Sequence, residues 1–101
     1  MKPHVTAEAK TDLFEIWDYI ASRSGVAAAD RVSDTIEAEI HKIGETPGAG
    51  HFREDVTDNS LRFWGVYSYL IAYRWQPRPV EIVAIVHGAR DLRVFFEERE
   101  H

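Results

Sequence analysis

Apolar residues recur at helical spacing in the first quarter of the chain. Four of them stand at i, i+3, i+4 and i+7, so they share one face of an amphipathic helix. These four are Leu13, Ile16, Trp17 and Ile20. Thr6 precedes the pattern as an N-cap and Gly25 follows it as a helix-ending residue. The pattern therefore predicts a first helix, with Asp12, Glu15 and Asp18 on its exposed face.

A second apolar stripe predicts a helix from about Val26 to Glu45. Its members follow one another at spacings of three and four. They are Ala29, Val32, Ile36, Ile40 and Ile43. Thr46-Pro47-Gly48 ends this helix. Because the connection between the two helices is very short, they must be antiparallel neighbours.

The second half of the chain predicts three strands, at Leu61–Val66, Tyr67–Trp75 and Val80–His87. Short turns join them, one of which is 76–79 with two prolines, so the strands pair antiparallel. His4-Val5-Thr6 is a candidate short first strand, and a short terminal helix is expected from Asp91 to about Glu98. The whole pattern indicates an α+β fold, in which an N-terminal helical hairpin packs on a small antiparallel sheet.

The last predicted strand is apolar on both faces. Strict alternation places Val80, Ile82, Ala84 and Val86 on one face, and Glu81, Val83, Ile85 and His87 on the other. A strand of this kind is covered on both sides. The helical hairpin covers only one of them. The second face needs either the C-terminal segment, with Leu92, Phe95 and Phe96, or another chain.

Composition limits the classes of function. A chain of 101 residues without cysteine is expected to be one domain, 1–101, without disulfides, which suits the cytoplasm. No apolar run reaches the length of a membrane span. The net charge of −5 argues against binding that depends on a strong basic field, so no direct nucleic-acid contact is expected. The one positive region, 59–93, carries five arginines against two carboxylates.

The sequence offers little recognisable catalytic chemistry. It lacks a phosphate-binding loop, a zinc-protease motif and a nucleophile elbow, and we expect no metal and no cofactor. Glu37 and His41 stand at i, i+4, but such a pair is more often a solvated helix face. Arg90 follows the last strand and Gly88, where it could hold an anion. Alternatively, Arg90 pairs with Asp91 or with a carboxylate of the first helix.

Several segments together resemble the ParE/RelE toxin superfamily of bacterial type II toxin–antitoxin systems. The similar segments run in order along nearly the whole chain. They are Asp12-Leu13-x-x-Ile16-Trp17-x-Tyr19-Ile20, Ala29-x-Arg31, Pro47-x-x-Gly50, Leu61-Arg62, Tyr69-Leu70-Ile71-x-Tyr73 and Val86-His87-Gly88-x-Arg90-Asp91. The resemblance implies a helical hairpin on a small antiparallel sheet and a cognate antitoxin bound over an apolar groove. The expected assembly is a hetero-oligomer with that antitoxin.

The superfamily divides into RelE-like enzymes that cut messenger RNA on the ribosome and ParE-like proteins that inhibit DNA gyrase. Most positions of the nuclease pattern differ here. The two expected lysines fall at about Asp58 and Ser60, the strand arginine is Leu70, and the late tyrosine is Phe96; only Arg90 matches a basic position. Because Asp58 would repel a phosphate, Leu70 cannot contact one and Phe96 cannot transfer a proton, we expect little nuclease activity.

The resemblance and these departures favour a gyrase-inhibiting, plasmid-stabilising toxin without catalysis. A RelE-type nuclease with a variant site of Arg62, His87 and Arg90 is the alternative, although a structural hydrogen bond suits His87 better. A third possibility is an inert relative that binds only the antitoxin. Candidate contacts to the target are Arg62, Arg74, Arg90 and Arg93. Candidate antitoxin anchors are Trp17, Trp64, Trp75 and Phe95, although an aromatic residue of this kind is more often simply part of the core.

Overall fold

The computed structural model describes residues 2–56 and 60–99. Strands are β1 (His4–Val5), β2 (Leu61–Val66), β3 (Tyr69–Arg74) and β4 (Glu81–His87). Helices are α1 (Ala7–Ser24), α2 (Val26–Glu45) and α3 (Leu92–Arg99), with a 3₁₀ turn at Pro47–Ala49. Every predicted element is present, so the predicted α+β fold is confirmed. The second and third predicted strands are shorter than expected, because residues at their ends belong to the turns.

The helical hairpin forms as the sequence indicates. Thr6 caps α1, since its hydroxyl accepts from the Ala9 amide at 3.2 Å. The same hydroxyl donates to the Ile82 carbonyl at 2.9 Å, which ties the start of α1 to the sheet. Gly25 alone separates α1 from α2 and has φ 92°, a left-handed conformation that favours glycine. The predicted antiparallel packing of the two helices follows from this one-residue connection.

The sheet has the order β1-β4-β3-β2. The three long strands pair antiparallel, as predicted, while β1 joins β4 in parallel. β1 reaches only the first two residues of β4, with His4 opposite Glu81 and Val5 opposite Ile82. The remainder of β4, from Val83 on, therefore has a strand neighbour on the β3 side alone.

A β-bulge changes the faces of β4. Ala72 pairs with Ala84, but the next residue of β3, Tyr73, pairs with Ile82, so Val83 is an extra residue. The predicted strict alternation is therefore wrong beyond this point. Ile85 joins Ile82 against the helical hairpin, whereas Ala84 lies on the opposite face.

The two faces of the sheet bury separate clusters. The hairpin side contains Ala9, Ile36, Ile40, Ile43, Val66, Ile71, Tyr73, Val80, Ile82 and Ile85. The other side contains Leu61, Phe63, Ala72, Ala84, Val86, Leu92, Phe95 and Phe96. Phe96 of α3 stands edge-on to Phe63 of β2, with ring centroids 5.7 Å apart. Of the two alternatives for the second face, the C-terminal segment is the one that covers it.

Candidate functional site

Asp12 and Arg99 form an ion pair between α1 and α3. Arg99 Nη2 donates to Asp12 Oδ1 at 2.7 Å and Nη1 donates to Oδ2 at 3.1 Å. Arg99 Nη1 also donates to the Val83 carbonyl at 2.9 Å, and the Ile85 amide donates to Asp12 Oδ2 at 3.0 Å. Only 9 % of Asp12 is exposed. The prediction that Asp12 lies on the exposed face of α1 is therefore wrong, because its carboxylate accepts hydrogen bonds from Arg99 and from the Ile85 amide at the edge of β4.

Arg90 is exposed and makes no ion pair with any residue that the structure describes. Its guanidinium lies over the Phe95 ring, 5.0 Å from the centroid. Asp91 caps α3 instead, since its Oδ1 accepts from the Val94 amide at 3.2 Å. The alternative that pairs Arg90 with Asp91 or a carboxylate of the first helix is thus wrong; Arg99 takes the latter role.

Arg90 and Arg93 line one shallow cleft of about 430 Å³ between the end of β4 and the loop before β2. Arg93 donates to the Asp55 carbonyl through Nε at 3.2 Å and Nη2 at 2.9 Å. Arg53 pairs with the Asp55 carboxylate at 3.0 Å. Hydrogen bonding to Arg53 lowers the pKa of that carboxyl below its usual value. The cleft thus combines Arg53, which pairs with a carboxylate, Arg93, which bonds to a carbonyl, and Arg90, which has no ion pair among the described residues.

Arg62 is stacked between two aromatic rings at the opposite end of the sheet. Its guanidinium carbon lies 4.2 Å from the Phe52 centroid and 4.3 Å from the Trp75 centroid. Its Nη1 donates to the Gly50 carbonyl at 2.7 Å. Arg74, on the neighbouring strand, is half-exposed and lies 3.7 Å from Glu81. Arg62 therefore acts mainly as a structural cation that holds the loop before β2 against the sheet.

The register separates Arg62 from His87 and Arg90. Arg62 is opposite Tyr73, whereas His87 is opposite Tyr69. Four residues along β3 correspond to about 13 Å, and two strand spacings of about 5 Å add to that separation. The structure thus groups Arg90 with His87 and Arg93, and leaves Arg62 and Arg74 at the other end.

His87 makes the structural hydrogen bond that the sequence favours. Its Nδ1 accepts from the Ala89 amide at 3.1 Å, which places the proton of the neutral ring on Nε2. The ring also stands edge-on to Tyr69, with centroids 5.3 Å apart. Burial raises the pKa of the Tyr69 phenol. These contacts fix the turn between β4 and α3.

The four candidate antitoxin anchors lie in different places. Trp17 donates to Asp30 at 2.8 Å across the hairpin, and Trp64 donates to Glu39 at 3.3 Å. Hydrogen bonds from Lys42 and then from Trp64 lower the pKa of Glu39. Trp64 and Trp75 both pack at the margin of the hairpin-side cluster, and Phe95 is buried beneath the opposite face.

A buried tyrosine explains the Pro47-x-x-Gly50 segment, which sequence reasoning quoted without assigning it a role. The Tyr73 hydroxyl donates to the Pro47 carbonyl at 2.7 Å and accepts from the Gly50 amide at 3.0 Å. A Cβ on Gly50 would collide with that hydroxyl. Tyr73 is fully buried, which raises the pKa of its phenol. No local pattern in the sequence signals this contact, because Gly50 and Tyr73 are 23 residues apart.

Comparison with known proteins decides the family. The family model described as "ParE toxin of type II toxin-antitoxin system, parDE" matches residues 4–92. Toxin ParE1 of Caulobacter vibrioides is 34% identical over 94 residues, which cover 92% of this chain and 96% of that protein. The chain belongs to the ParE toxin family. It is thus a ParE-type toxin of a type II toxin–antitoxin system, as the sequence resemblance indicates.

A solved structure supports the fold of this ParE family member. The chromosomal ParDE system from P. aeruginosa aligns with a TM-score of 0.75 at 18% identity. The alignment covers 86% of this chain and 95% of that chain. At this identity the similarity concerns the fold alone.

Two of the positions at which this ParE-type chain departs from the nuclease pattern belong to the packing of the sheet. Phe96 is 4 % exposed and lies within the α3-side cluster, and Leu70 packs at the margin of that cluster. Asp58 lies outside the described residues. Across 2–56 and 60–99, no three metal-binding side chains converge. No helix within those ranges has the length and apolarity needed to cross a bilayer.

Proposed function

We propose that this ParE-type toxin inhibits DNA gyrase in the cytoplasm by direct protein binding. A cognate antitoxin neutralises it within a hetero-oligomer, and the pair stabilises the plasmid or chromosomal segment that carries it. Membership of the ParE family supports this assignment. The arrangement of the three candidate nuclease residues supports it further.

The separation of Arg62 from His87 and Arg90 is the observation that carries the proposal. A nuclease site needs its proton-transfer group and its phosphate-binding cations within reach of one phosphodiester. Arg62 is stacked between aromatic rings about 13 Å further along the sheet, taking about 3.3 Å per residue. His87 already uses Nδ1 in a turn. Binding to a protein surface requires no such convergence.

For the contact with gyrase, we favour the cleft that Arg90 and Arg93 share. Arginine is common among residues that dominate protein interfaces, and an exposed guanidinium without a carboxylate partner can take one from a bound protein. Arg90 meets that description among the described residues. Arg62 and Arg74 are weaker candidates, since the first is stacked and the second lies beside Glu81.

Two assays on the purified toxin test the proposal. We expect the toxin to block supercoiling by gyrase and to leave messenger RNA intact on translating ribosomes. Cleavage of ribosome-bound messenger RNA with normal supercoiling would establish the nuclease alternative. Overexpression without any growth defect would instead identify an inert antitoxin-binding relative.

A matched pair of variants tests the proposed contact surface. Arg90→Glu should raise the toxin concentration needed for half-inhibition of gyrase about tenfold or more, because it reverses the charge at the cleft. Arg74→Glu changes the same charge at the other end of the sheet and should have an effect of less than about threefold. Equal effects would place the contact elsewhere.

A further inference from the structure

Glu37 and His41, the i, i+4 pair on α2, border a groove at the end of the helical hairpin that lies far from Gly25. The groove has a volume of about 280 Å³ and lies between β1, the first half of α1 and the second half of α2. We call it the hairpin groove. It shares no lining residue with the cleft of Arg90 and Arg93, so it is separate from the surface proposed for the target.

Aliphatic side chains form one part of the hairpin groove. Ile40 belongs to the hairpin-side cluster, while Val5 and Leu13 pack at the margin of that cluster and stay partly exposed. Pro3 completes the apolar lining. No aromatic ring of a described residue lines the groove. The lining therefore offers contact to a hydrocarbon chain but no ring face for stacking.

Charged and polar side chains form the other part of the groove. They are Lys2, Lys10, Glu37 and His41. All four are exposed, and within 2–56 and 60–99 none of them forms an ion pair or a side-chain hydrogen bond. With His41 counted as neutral, two ammonium groups and one carboxylate leave one positive charge. In a chain of net charge −5, this local excess is complementary to a ligand with one negative charge.

We propose that the hairpin groove binds a medium-chain aliphatic carboxylate, of which octanoate is the simplest probe. The hydrocarbon chain lies against Val5, Leu13 and Ile40, where it covers the exposed margin of the core. The carboxylate pairs with Lys2 and Lys10. Burial of the chain supplies most of the affinity, and the two lysines select the charge of the ligand.

The size of the groove and its two kinds of lining together favour this class of ligand. Ligand pockets are commonly about 300–1,000 Å³ in volume, so a groove of about 280 Å³ suits a small molecule. An inorganic anion would leave the aliphatic side chains uncovered, and an uncharged alcohol would leave both lysines unpaired. A ligand that has both a hydrocarbon chain and a single carboxylate uses both parts of the groove.

A titration of the purified, isotope-labelled toxin with sodium octanoate tests the inference. NMR follows the backbone amides of Val5, Leu13 and Ile40, and we expect their shifts to change and to saturate. Hexanoate lacks two methylenes and should bind about fivefold to tenfold more weakly, because each buried methylene adds to the affinity. Octanol has the same chain without the charge and should bind about fivefold or more weakly than octanoate.

A matched pair of lysine variants tests the contact with the carboxylate. Lys10→Glu reverses a charge in the groove and should weaken octanoate binding about fivefold or more. Lys42→Glu makes the same change at a residue that does not line the groove and that pairs with Glu39 at 2.8 Å, so it should change the affinity less than about twofold. Circular dichroism verifies that both variants fold.

The results separate a specific site from general hydrophobic binding. Saturable shifts at the three groove amides that weaken in the Lys10→Glu variant alone would establish the site. Octanol that binds as tightly as octanoate, or equal effects of the two lysine variants, would overturn the inference. Shifts that are absent, or that spread over the protein without saturating, would overturn it as well.

Discussion

Replacing Asp12 with alanine removes the acceptor that joins α1, β4 and α3. The Arg99 guanidinium loses two hydrogen bonds and the Ile85 amide loses one. Breaking a fully buried ion pair from one side costs about 3–5 kcal/mol. Because 23% of the Arg99 side chain and 10% of the Asp12 side chain are exposed, we expect a smaller loss, about 2–4 kcal/mol.

Urea unfolding followed by circular dichroism measures this loss. With a slope of about 2 kcal/mol per molar urea, a loss of about 3 kcal/mol lowers the midpoint by about 1.5 M. Asp18→Ala, on the exposed face of the same helix, is the matched control and should change stability by less than about 0.5 kcal/mol.

A double-mutant cycle separates the ion pair from general damage to α1. Arg99→Met keeps part of the aliphatic packing and leaves Asp12 bonded to the Ile85 amide. The double variant should therefore be more stable than the sum of the single losses predicts, by about 1–2 kcal/mol. Additive losses, or an Asp12→Ala variant as stable as Asp18→Ala, would refute the role of this pair.

Three further predictions concern the buried tyrosine and the stacked arginine. Gly50→Ala should destabilise the fold by about 1–3 kcal/mol in urea, because its Cβ collides with the Tyr73 hydroxyl. Burial raises the folded-state pKa of Tyr73 above its ordinary value, so the stability that this phenol contributes should be fully present below pH 10.0 and be lost as the pH rises through the folded pKa. A Tyr73→Phe variant should lose less stability over that alkaline range. Arg62→Lys should alter Trp75 fluorescence without unfolding the protein, since lysine lacks the planar group stacked on that ring; an unchanged spectrum would contradict the stacking.

Local patterns in the sequence were sufficient for most of the fold. The apolar stripes located both long helices. Thr6 and Gly25 marked the ends of the first one, because a capping hydroxyl and a glycine with positive φ act over only a few residues. The short turns likewise indicated antiparallel pairing of β2, β3 and β4. These features depend on neighbours in the chain, which is why the sequence alone reveals them.

The features that escaped prediction depend on residues distant in the chain. Asp12 carries the same signal as the other acidic residues of α1, and only the approach of Arg99, 87 positions away, makes it a buried partner. No residue type in the sequence indicates the bulge at Val83, yet the bulge decides which face of the sheet Ile85 occupies. For the candidate site, the arginines could be identified but not grouped, since strand register determines their separation.

The pairing of β1 with β4 sets the order in which the toxin can fold. His4, near the start of the chain, hydrogen-bonds to the carbonyl of Val80, and Thr6 to that of Ile82. Such distant contacts form only after the intervening chain has been made and its loop-closure entropy has been overcome. During synthesis, the helical hairpin emerges first without its sheet. The cleft of Arg90 and Arg93 that we propose for contact with the target thus forms late, once nearly the whole chain is available.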